Sequence, residues 1–419
     1  MTPEPTGDDT TTTGPLAGLV VADFSRVLAG PYATMMLADL GATVIKVESP
    51  EGDDTRHWTP PSRDGVSTYY LSVNRNKESV VLDLSDPADL DTAYAIIDRA
   101  DVFVENFKVG GLAKFGLDAA SVAARWPQLI HASITGFGLD GGADMPGYDL
   151  LVQAMSGMMH TTGSQDGPPQ RAGVAIFDVV TGMHATIGVL AALHERAVSG
   201  KGQHIVLDLL SSAQSSLVNQ TTGYAACGNE PMRMGNEHPS LFPYGPFRAA
   251  DRDIVICCGN NNQFTRLATE VGAAWAVVDP RFSTVHERNL HRDELRTILE
   301  GGLASRSAEE WFDVLQAVKV PCAPILSVGE GVQFAQGLGL DTVVQVGDGD
   351  GAVPLIRNPI SFARTGVTYR KAPPALGADR EDVMEWIRRT PARTPHTPNA
   401  PASGEPVMSM SGHGARNAR

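Results

Sequence analysis

Asp178 is the residue whose type and position could most directly do chemistry. It follows the apolar run 174–177 and opens a segment whose apolar residues recur at helical spacing, namely Met183, Ile187, Leu190, Ala191 and Leu193. An aspartate at a helix N-terminus can simply cap the helix. The same position favours negative charge, so a partly desolvated Asp178 could also act as a covalent nucleophile. Both roles stay open from the pattern alone, and they are compatible.

A group of basic residues offers a second chemistry, the binding of a polyanion. They fall in loops near the ends of predicted strands and comprise Arg26, Arg75, Lys77, Lys108 and Lys114. Asparagines and one aromatic residue lie among them, at Asn74, Asn76, Asn106 and Phe107. On an acidic protein such a cluster could hold a phosphorylated cofactor, although ordinary surface charge explains any single member.

The sequence lacks the common cofactor and hydrolase motifs. The turn 25–30 after the first predicted strand lacks G-x-G-x-x-G, although Glu48 stands where a ribose-binding acid would. No G-x-x-x-x-G-K-[ST], G-x-S-x-G or H-E-x-x-H occurs either. We therefore predict neither a nicotinamide or flavin site, nor ATP chemistry, nor a bound metal. The run Gly259, Asn260 and Asn261 could form a lid or a plain polar turn.

Composition limits the partners and the compartment. The chain has 419 residues and a formal net charge of -15, which argues against nucleic acid as the main partner. No apolar run reaches transmembrane length, and the polar N-terminus is not a secretory signal, so we expect no membrane partner. Four cysteines without metal-like spacing or disulfide density are typical of a cytoplasmic protein.

The elements that would position these residues indicate an α/β fold. Residues 19–24, 30–41 and 43–47 form a strand–helix–strand unit, with Pro31 in the first turn of the helix. The alternation continues to about residue 200 and predicts a Rossmann-like parallel sheet with a smaller α+β domain inserted before the chain returns. The predicted divisions are a disordered leader (1–14), a large domain (15–204), a linker helix (205–227), a small domain (228–320), a return to the large domain (321–389) and a disordered tail (390–419).

Six stretches of the chain, taken together, resemble one known family. They are PLAGLVVADFSRVLAGPYATMMLADLGATVIKVE, YYLSVNRNKES, DVFVENF, PGYDLLVQAMSGMMHTTG, RAGVAIFDVVTGMHA and GKGQHIVLDLL. On these residues the chain resembles the class III CoA-transferases, the group that contains formyl-CoA transferase and carnitine CoA-transferase, across residues 15–375. The resemblance implies transfer of CoA from an acyl-CoA to a carboxylic acid and an interlocked homodimer. It also implies no permanently bound cofactor, because the coenzyme A thioester is a substrate.

The resemblance also assigns roles to individual residues. Asp178 matches the aspartate that attacks the acyl-CoA carbonyl, which implies an aspartyl anhydride and then an aspartyl-CoA thioester. The positions that match CoA contacts in the large domain are Val27, Leu28, Asn74, Arg75, Lys77, Asn106, Phe107 and Lys114. The positions that match substrate or lid residues are Tyr148, Gly259, Asn260 and Asn261.

Two other functions remain as alternatives. The 2-methylacyl-CoA racemases share the fold, but they use a histidine and a glutamate where this chain has Tyr148 and Asn261. Tyrosine is a poor base near neutral pH and asparagine cannot transfer a proton, so racemisation is the less favoured activity. A non-catalytic CoA-binding protein is the other alternative.

The stretches that would face substrate favour one branch of the family. GDDTRHWTPP, STYYLSVNRNKES, HASITGFG, GNEHPSLFPYGPF and CCGNNNQF are most similar to the succinate–hydroxymethylglutarate CoA-transferases. The expected donor is therefore succinyl-CoA, and the expected acceptor is a dicarboxylate such as glutarate or hydroxymethylglutarate. A distal carboxylate needs an anchoring side chain, and the candidates are Arg56, Arg171, Arg233 and His238.

Overall fold

A computed structural model describes residues 13–393 of the chain. Most of the predicted leader and tail, residues 1–12 and 394–419, lies outside the described residues. Residues 390–393 are described and lie against the large domain, where the Arg393 guanidinium donates to the Asp101 carboxylate at 2.7 Å. The large domain therefore includes the described residues 390–393.

Strands and helices alternate along most of the described chain. The strands are β1 (Val20–Asp23), β2 (Thr43–Glu48), β3 (Ser62–Arg63), β4 (Val66–Ser67), β5 (Lys77–Val81), β6 (Val102–Glu105), β7 (Ile130–Thr135), β8 (His204–Asp208), β9 (Tyr244–Arg248), β10 (Asp253–Cys257), β11 (Cys322–Pro324), β12 (Val343–Val346) and β13 (Val353–Ile356). The helices are α1 (Ala29–Asp39), α2 (Thr68–Val73), α3 (Pro87–Ile97), α4 (Ala119–Arg125), α5 (Asp149–Met155), α6 (Met158–Thr161), α7 (Ile176–Ser199), α8 (Leu209–Ser216), α9 (Asn219–Cys227), α10 (Asn261–Glu270), α11 (Val285–Leu290), α12 (Arg292–Leu303), α13 (Ala308–Ala317), α14 (Val328–Gly337) and α15 (Arg380–Arg389).

Six of these strands form one parallel sheet in the order β5-β2-β1-β6-β7-β8. Counted along the chain, this is the order 3-2-1-4-5-6 of doubly wound nucleotide-binding folds. The strand order reverses between β1 and β6, so the loops leaving the carboxyl ends of these two strands diverge and open a crevice. The predicted parallel α/β sheet is confirmed, and residues 24–28 and 106–107 follow the two strands at this crevice.

Alternate side chains of the sheet build a core on each of its faces. On one face, Val21, Val104 and Ala132 pack with α1 and α7. On the other face, Ala22 and Phe103 pack with residues of α3 and α4 and with α15 from the far end of the chain. Helices α1 and α7 therefore lie side by side on one face, and α7 carries Asp178.

A smaller antiparallel sheet, in the order β11-β10-β9, has a core of its own. Helices α10, α12 and α13 cover this sheet, so a small α+β unit is present, and β11 extends it past residue 320, where the sequence predicted its end. The chain then returns to the large domain. The β12–β13 hairpin packs on Leu71 of α2, and the Asn76 carboxamide accepts the Arg370 and Lys371 amides at 2.7 and 3.1 Å.

The segment 205–227, predicted as one linker helix, has a different structure. Its first residues belong to β8, which forms an edge of the parallel sheet, and two helices follow instead of one. Helix α8 begins where the Asp208 carboxylate caps the Ser211 amide at 2.6 Å. The break falls at Val218, whose φ of 45° is incompatible with a continuing right-handed helix.

Helix α7 runs for 24 residues and is the one described helix whose length and composition would let it cross a membrane. The statement that no apolar run reaches that length is therefore wrong. The helix nevertheless buries Phe177, Ala185 and Val189 in the core beside the parallel sheet, and core helices pass the same test of length and composition. Gly200 ends the helix in a left-handed conformation, as predicted.

Candidate active site

Asp178 lies in the first turn of α7 and does not cap it. The helix begins at Ile176, and the capping position is Ala175, which offers no side-chain acceptor. The apolar run 174–177 forms no strand. The interpretation of Asp178 as the N-cap is therefore wrong, and its side chain is free for another role.

The capping function falls to Asp149, the first residue of α5. Its Oδ1 oxygen accepts the Phe177 amide at 2.7 Å and the Asp178 amide at 3.2 Å. The side chain of Asp149 is in turn held by Gln153, whose Nε2 donates to Oδ2 at 2.6 Å. Gln153 also accepts the Ala172 amide at 2.8 Å. The start of α7 and the loop before it are thus tied to one buried carboxylate.

Burial and a nearby charge make Asp178 an unusual carboxyl group. Desolvation, and to a smaller extent the charge of the Asp149 carboxylate, raise its pKa from 3.8 to about 7. The backbone amide of Ala29, at the start of α1, acts the other way, because an amide N–H near the carboxylate favours its ionised form. Asp178 therefore exchanges its proton near neutral pH, as groups at reactive sites often do.

The N-terminus of α1 faces this carboxylate. Helix α1 has no side-chain cap, and Pro31 has no amide hydrogen, so Ala29 and Gly30 supply the unpaired amides of its first turn. Close approach of α7 depends on Gly182, one turn beyond Asp178. A Cβ atom at position 182 would lie 2.7 Å from the Ala29 carbonyl oxygen. The missing side chain lets Asp178 reach the end of α1.

Tyr69 of α2 completes the surroundings of the carboxylate. Burial, and to a smaller extent the charges of Asp178 and Asp149, raise the pKa of Tyr69 to about 12. Its hydroxyl thus stays protonated at neutral pH and can donate a hydrogen bond. Apolar side chains from the turn after β1, from α2 and from both sides of Asp178 pack together here: Val27, Leu28, Tyr69, Val73, Ala175 and Val179.

Five of the eight predicted CoA contacts lie at or near the crevice. Val27 and Leu28 form the turn between β1 and α1, and Asn106 and Phe107 follow β6. The Asn106 carboxamide already bonds both backbone groups of Arg26, at 3.0 and 2.8 Å. Phe107 is 38% exposed. Lys114 is exposed and lies with its ammonium group 4.6 Å from the ring centroid of Phe115.

The other three predicted CoA contacts, Asn74, Arg75 and Lys77, are buried and engaged within the protein. The Arg75 guanidinium grips the Asp39 carboxylate with bonds of 2.9 and 2.6 Å. The Lys77 ammonium donates to Asp23, to the Pro31 carbonyl and to Asn74, at 2.9 to 3.0 Å. Burial lowers the pKa of Lys77 to about 8 against the opposing effect of Asp23. These side chains are held in buried ion pairs and hydrogen bonds beside the sheet, which favours a structural role over contact with CoA.

The predicted substrate and lid residues are placed in two regions. Tyr148 is 63% exposed and immediately precedes the capping Asp149. Gly259, Asn260 and Asn261 form the capped start of α10. The Asn260 side chain accepts the Gln263 amide at 3.0 Å, and Asn261 accepts from the buried Arg288 at 2.8 Å. This run is an ordered helix start in the small domain, which favours the plain turn over a mobile lid.

The four candidate anchors for a distal carboxylate differ in whether their side chains are already bound within the protein. Arg56 is bound to Glu48 at 2.7 and 2.8 Å and to the Tyr70 hydroxyl, so it is structural. His238 accepts two backbone amides through Nδ1, and Arg233 donates to the His160 carbonyl. Arg171 is exposed, and its neighbour Ala172 is tied to the Asp149–Gln153 pair. Of the four candidates, Arg171 lies nearest to Asp178 along the chain, seven residues before it.

Several residues of the site were missed from the sequence. Asp149, Tyr69 and Gly182 have no local motif that connects them to Asp178, and the Ala29 amide carries no side-chain signal at all. A usable signal existed for Asp149 alone, since an acidic residue stands at the start of a predicted helix. Within residues 13–393, no group of three or more His, Cys, Asp or Glu side chains is placed to hold a metal ion.

Known proteins share this arrangement of elements. The model of CoA-transferase family III matches residues 16–380. The chain is 41% identical to the succinate–glutarate CoA-transferase of Agrobacterium fabrum, over 90% of this chain and 97% of that protein. It is 39% identical to the acetyl-CoA:oxalate CoA-transferase of Acetobacter aceti, over 84% of this chain and 90% of that protein. A crystal structure of a CAIB/BAIF family protein from Brucella suis superposes with a TM-score of 0.84 at 38% identity, covering 90% of this chain and all of that one. The chain therefore belongs to CoA-transferase family III and is an enzyme of that family.

Proposed function

We propose that Asp178 is the nucleophile with which this CoA-transferase moves CoA between carboxylic acids. The observation that carries the proposal is the Asp178 carboxylate at the start of α7, facing the uncapped end of α1, with a pKa of about 7. Such a carboxylate is ionised in a large share of molecules at neutral pH. It is also more basic than an ordinary aspartate and therefore a better nucleophile.

The reaction exchanges one thioester for another. An Asp178 oxygen attacks the carbonyl carbon of the donor thioester, the C–S bond breaks, and CoA leaves as its thiolate. The thiolate then attacks the Asp178 carbonyl of the resulting anhydride and releases the donor acid. The acceptor carboxylate attacks the aspartyl-CoA thioester and displaces the thiolate, which attacks the acceptor carbonyl and regenerates Asp178. One thioester forms for each one broken, so no ATP is required.

The neighbours of Asp178 support each of these steps. The Ala29 and Gly30 amides at the end of α1 can stabilise the oxyanion that forms when a carbonyl is attacked. Tyr69 is a second donor in the same region. The apolar cluster around Val27, Leu28 and Val179 shields the anhydride and the thioester from water.

The substrates follow from the relatives and from the one exposed anchor. The Agrobacterium fabrum relative is a succinate–glutarate CoA-transferase, which supports succinyl-CoA as donor and glutarate or hydroxymethylglutarate as acceptor. Arg171 would grip the distal carboxylate of such an acid through its guanidinium fork. Oxalate, the acceptor in the name of the Acetobacter aceti relative, is the competing diacid. The nucleotide end of CoA would lie at the crevice, against Phe107 and Lys114.

A second copy of the chain would complete the surface beside the site. Apolar side chains of α5 and α7 close to Asp178 are exposed in the single chain, namely Leu150, Leu151, Met155, Met183 and Ile187. We propose a homodimer that covers them, with the interlocked form as its expected arrangement. Light scattering at micromolar concentration tests this, and a monomer mass would contradict it. The four free cysteines are compatible with a cytoplasmic location.

Two mass measurements test the function. Succinyl-CoA and glutarate incubated with the enzyme should give glutaryl-CoA and succinate. With succinyl-CoA alone, the intact enzyme should gain a CoA adduct that maps to Asp178. The Asp178→Asn variant should do neither. Transfer by a folded Asp178→Asn protein, with deamidation excluded by peptide mass, would contradict the assignment.

Racemisation has its own test. Tyr148 and Asn261 stand where a racemase needs proton carriers, and Asn261 is held by Arg288 in the small domain. We expect no deuterium uptake at the α-carbon of a 2-methylacyl-CoA in heavy water. Rapid uptake would make the racemase assignment the better one.

A further inference from the structure

Val27 has a backbone conformation that its side chain disfavours. It lies in the turn between β1 and α1, with φ at 69°. A β-branched residue rarely adopts this left-handed region, and such strain persists only where the surroundings impose it. The turn stands at the crevice where the strand order reverses, two residues before Ala29. Surrounding residues must therefore hold Val27 in this conformation, and its place beside Ala29 indicates a role at the site.

Three side chains impose the conformation by binding the backbone of the turn. The Lys46 ammonium donates to the Ser25 carbonyl at 2.9 Å. Asn106 binds both the amide and the carbonyl of Arg26. The Asp53 carboxylate accepts the Val27 amide through both oxygens, at 3.3 and 3.2 Å. Four successive backbone groups of the turn are thus held from β2, β6 and the loop after β2.

Asp53 is itself rigid, buried and ionised. Its Oδ2 receives the Lys46 ammonium at 2.9 Å, and its Oδ1 receives the Thr55 amide and hydroxyl at 3.0 and 2.7 Å. Lys46 and Thr55 hold the pKa of Asp53 below its usual value, although burial opposes them. A fixed anion at this place is a strong acceptor for the Val27 amide.

The turn leads directly to the group that meets Asp178. Leu28 precedes α1, and Ala29 supplies the first amide of the helix. Val27 and Leu28 pack with Ala175, three residues before Asp178, and with Val179, the residue after it. Gly30 closes the turn, because the Ser25 side chain lies 2.3 Å from where its Cβ would be. A change in the Val27 conformation would therefore turn the Ala29 amide away from α7.

We propose that Asp53 is a positioning residue: it holds Val27 in the left-handed conformation and so aims the Ala29 amide at the Asp178 carboxylate. Asp53 touches neither the substrate nor Asp178. It acts through two peptide units, with Lys46 as its counterion. The expected effect of Asp53 on kcat rests on the proposed role of Asp178. Its expected effect on the pKa of Asp178 does not.

Two readouts follow from this proposal. Moving the Ala29 amide away from Asp178 makes the ionised form of Asp178 less favourable, so the acidic limb of kcat/KM should move to higher pH in Asp53→Ala and by less in Asp53→Asn, which keeps one acceptor oxygen. The oxyanion also loses a donor, so kcat should fall by about 10- to 100-fold with little change in KM for succinyl-CoA. Asp54→Ala is the matched control, because Asp54 is an exposed carboxylate next in sequence whose ion pair, among residues 13–393, is with the exposed Arg26.

A rescue experiment separates positioning from general stability. Glycine adopts a φ of 69° without strain, so Val27→Gly should partly restore kcat and the pH profile of Asp53→Ala. A purely structural Asp53 would show no such rescue. Val27→Gly can also be paired with Asp53→Asn, which keeps one acceptor oxygen, if Asp53→Ala does not fold. An unchanged acidic limb in folded Asp53→Ala would overturn the proposal.

The ionisation of Asp178 can be measured without turnover. In each background, the pH dependence of the difference in unfolding free energy between the Asp178 and Asp178→Asn proteins reports the pKa of Asp178. Asp53→Ala should raise that pKa, and Asp54→Ala should not. If Asp178→Asn proves active, the nucleophile assignment fails, yet this measurement still decides whether Asp53 positions the Ala29 amide.

Discussion

The Oδ1 oxygen of Asp149 accepts the backbone amides of both Phe177 and Asp178, at 2.7 and 3.2 Å. A carboxylate from α5 thereby caps α7 from outside the helix and leaves the Asp178 side chain free. It also places a like charge beside Asp178 and raises its pKa. The Asp149 carboxylate therefore both caps α7 and raises the pKa of Asp178 in its first turn.

Asp149→Asn should separate these two effects. The carboxamide oxygen can still accept the two amides, but the negative charge is gone, so the pKa of Asp178 should fall. The acidic limb of kcat/KM should move to lower pH. Asp149→Ala removes the acceptor too and should cost about 1–2 kcal/mol in the free energy of unfolding. An acidic limb that stays in place in Asp149→Asn would show that the charge of Asp149 does not act on Asp178.

Asp178→Asn should abolish transfer and stabilise the protein at high pH. In the unfolded chain the carboxyl ionises near pH 3.8, whereas in the folded protein it ionises near 7. The cost of the buried charge is therefore absent below pH 3.8, grows between the two values and is complete above 7. The change corresponds to roughly 4 kcal/mol, which water at a partly exposed carboxylate reduces to about 1–3 kcal/mol. Urea unfolding at pH 5 and pH 8 measures it, and a stabilisation that is equal at both pH values would argue against the raised pKa.

Gly182→Ala should separate α7 from α1. The new methyl group would lie 2.7 Å from the Ala29 carbonyl and 3.0 Å from the Tyr32 ring. We expect a loss of about 1–3 kcal/mol in stability and a lower kcat, because the Ala29 amide moves away from Asp178. Gly188→Ala in the same helix is the control, since its methyl group would meet only the Ile205 side chain, at 3.3 Å. Equal effects of the two substitutions would contradict the importance of the close approach.

Arg171→Ala should raise KM for glutarate by about ten- to a hundredfold, because the distal carboxylate loses one charged hydrogen-bond partner. KM for a monocarboxylate of similar length should change little. Arg56→Ala is the contrasting variant, because Arg56 serves Glu48 and Tyr70. It should lower the melting temperature instead. If Arg171→Ala leaves KM for all acids unchanged, the anchor lies elsewhere.

Lys77→Met should destabilise the protein and spare the affinity for CoA. The substitution leaves the buried Asp23 carboxylate without the ammonium that lies 3.0 Å away. Breaking such a pair typically costs about 3–5 kcal/mol. The KM for succinyl-CoA, measured well below the melting temperature, should stay near that of the native enzyme. A large rise in KM with unchanged stability would return Lys77 to the CoA site.

Local sequence patterns were sufficient for the framework around Asp178. The apolar run of β1, Pro31 in the first turn of α1 and Gly200 at the end of α7 are signals that act within a few residues. The cap of α7 could not be predicted from such patterns, because Asp149 lies 29 residues from the Asp178 amide that it accepts. The burial of Arg75 and Lys77 could not be predicted for the same reason. Arg75 and Lys77 depend on carboxylates 36 and 54 residues earlier in the chain, and without those partners their residue types indicate a surface position.

The late return of the chain to the large domain determines the order in which the protein can be built. Asn76 is bound by the backbone of Arg370, 294 residues further along, so the parallel sheet leaves the ribosome long before its last supporting segment. The small domain is contiguous and can fold in between. Once folded, it holds residues 244 and 324 in one three-stranded sheet, which shortens the loop that must still close. The small domain thereby shortens the last closure in the assembly of the domain that carries Asp178, and we expect substitutions in its core to slow the appearance of active enzyme.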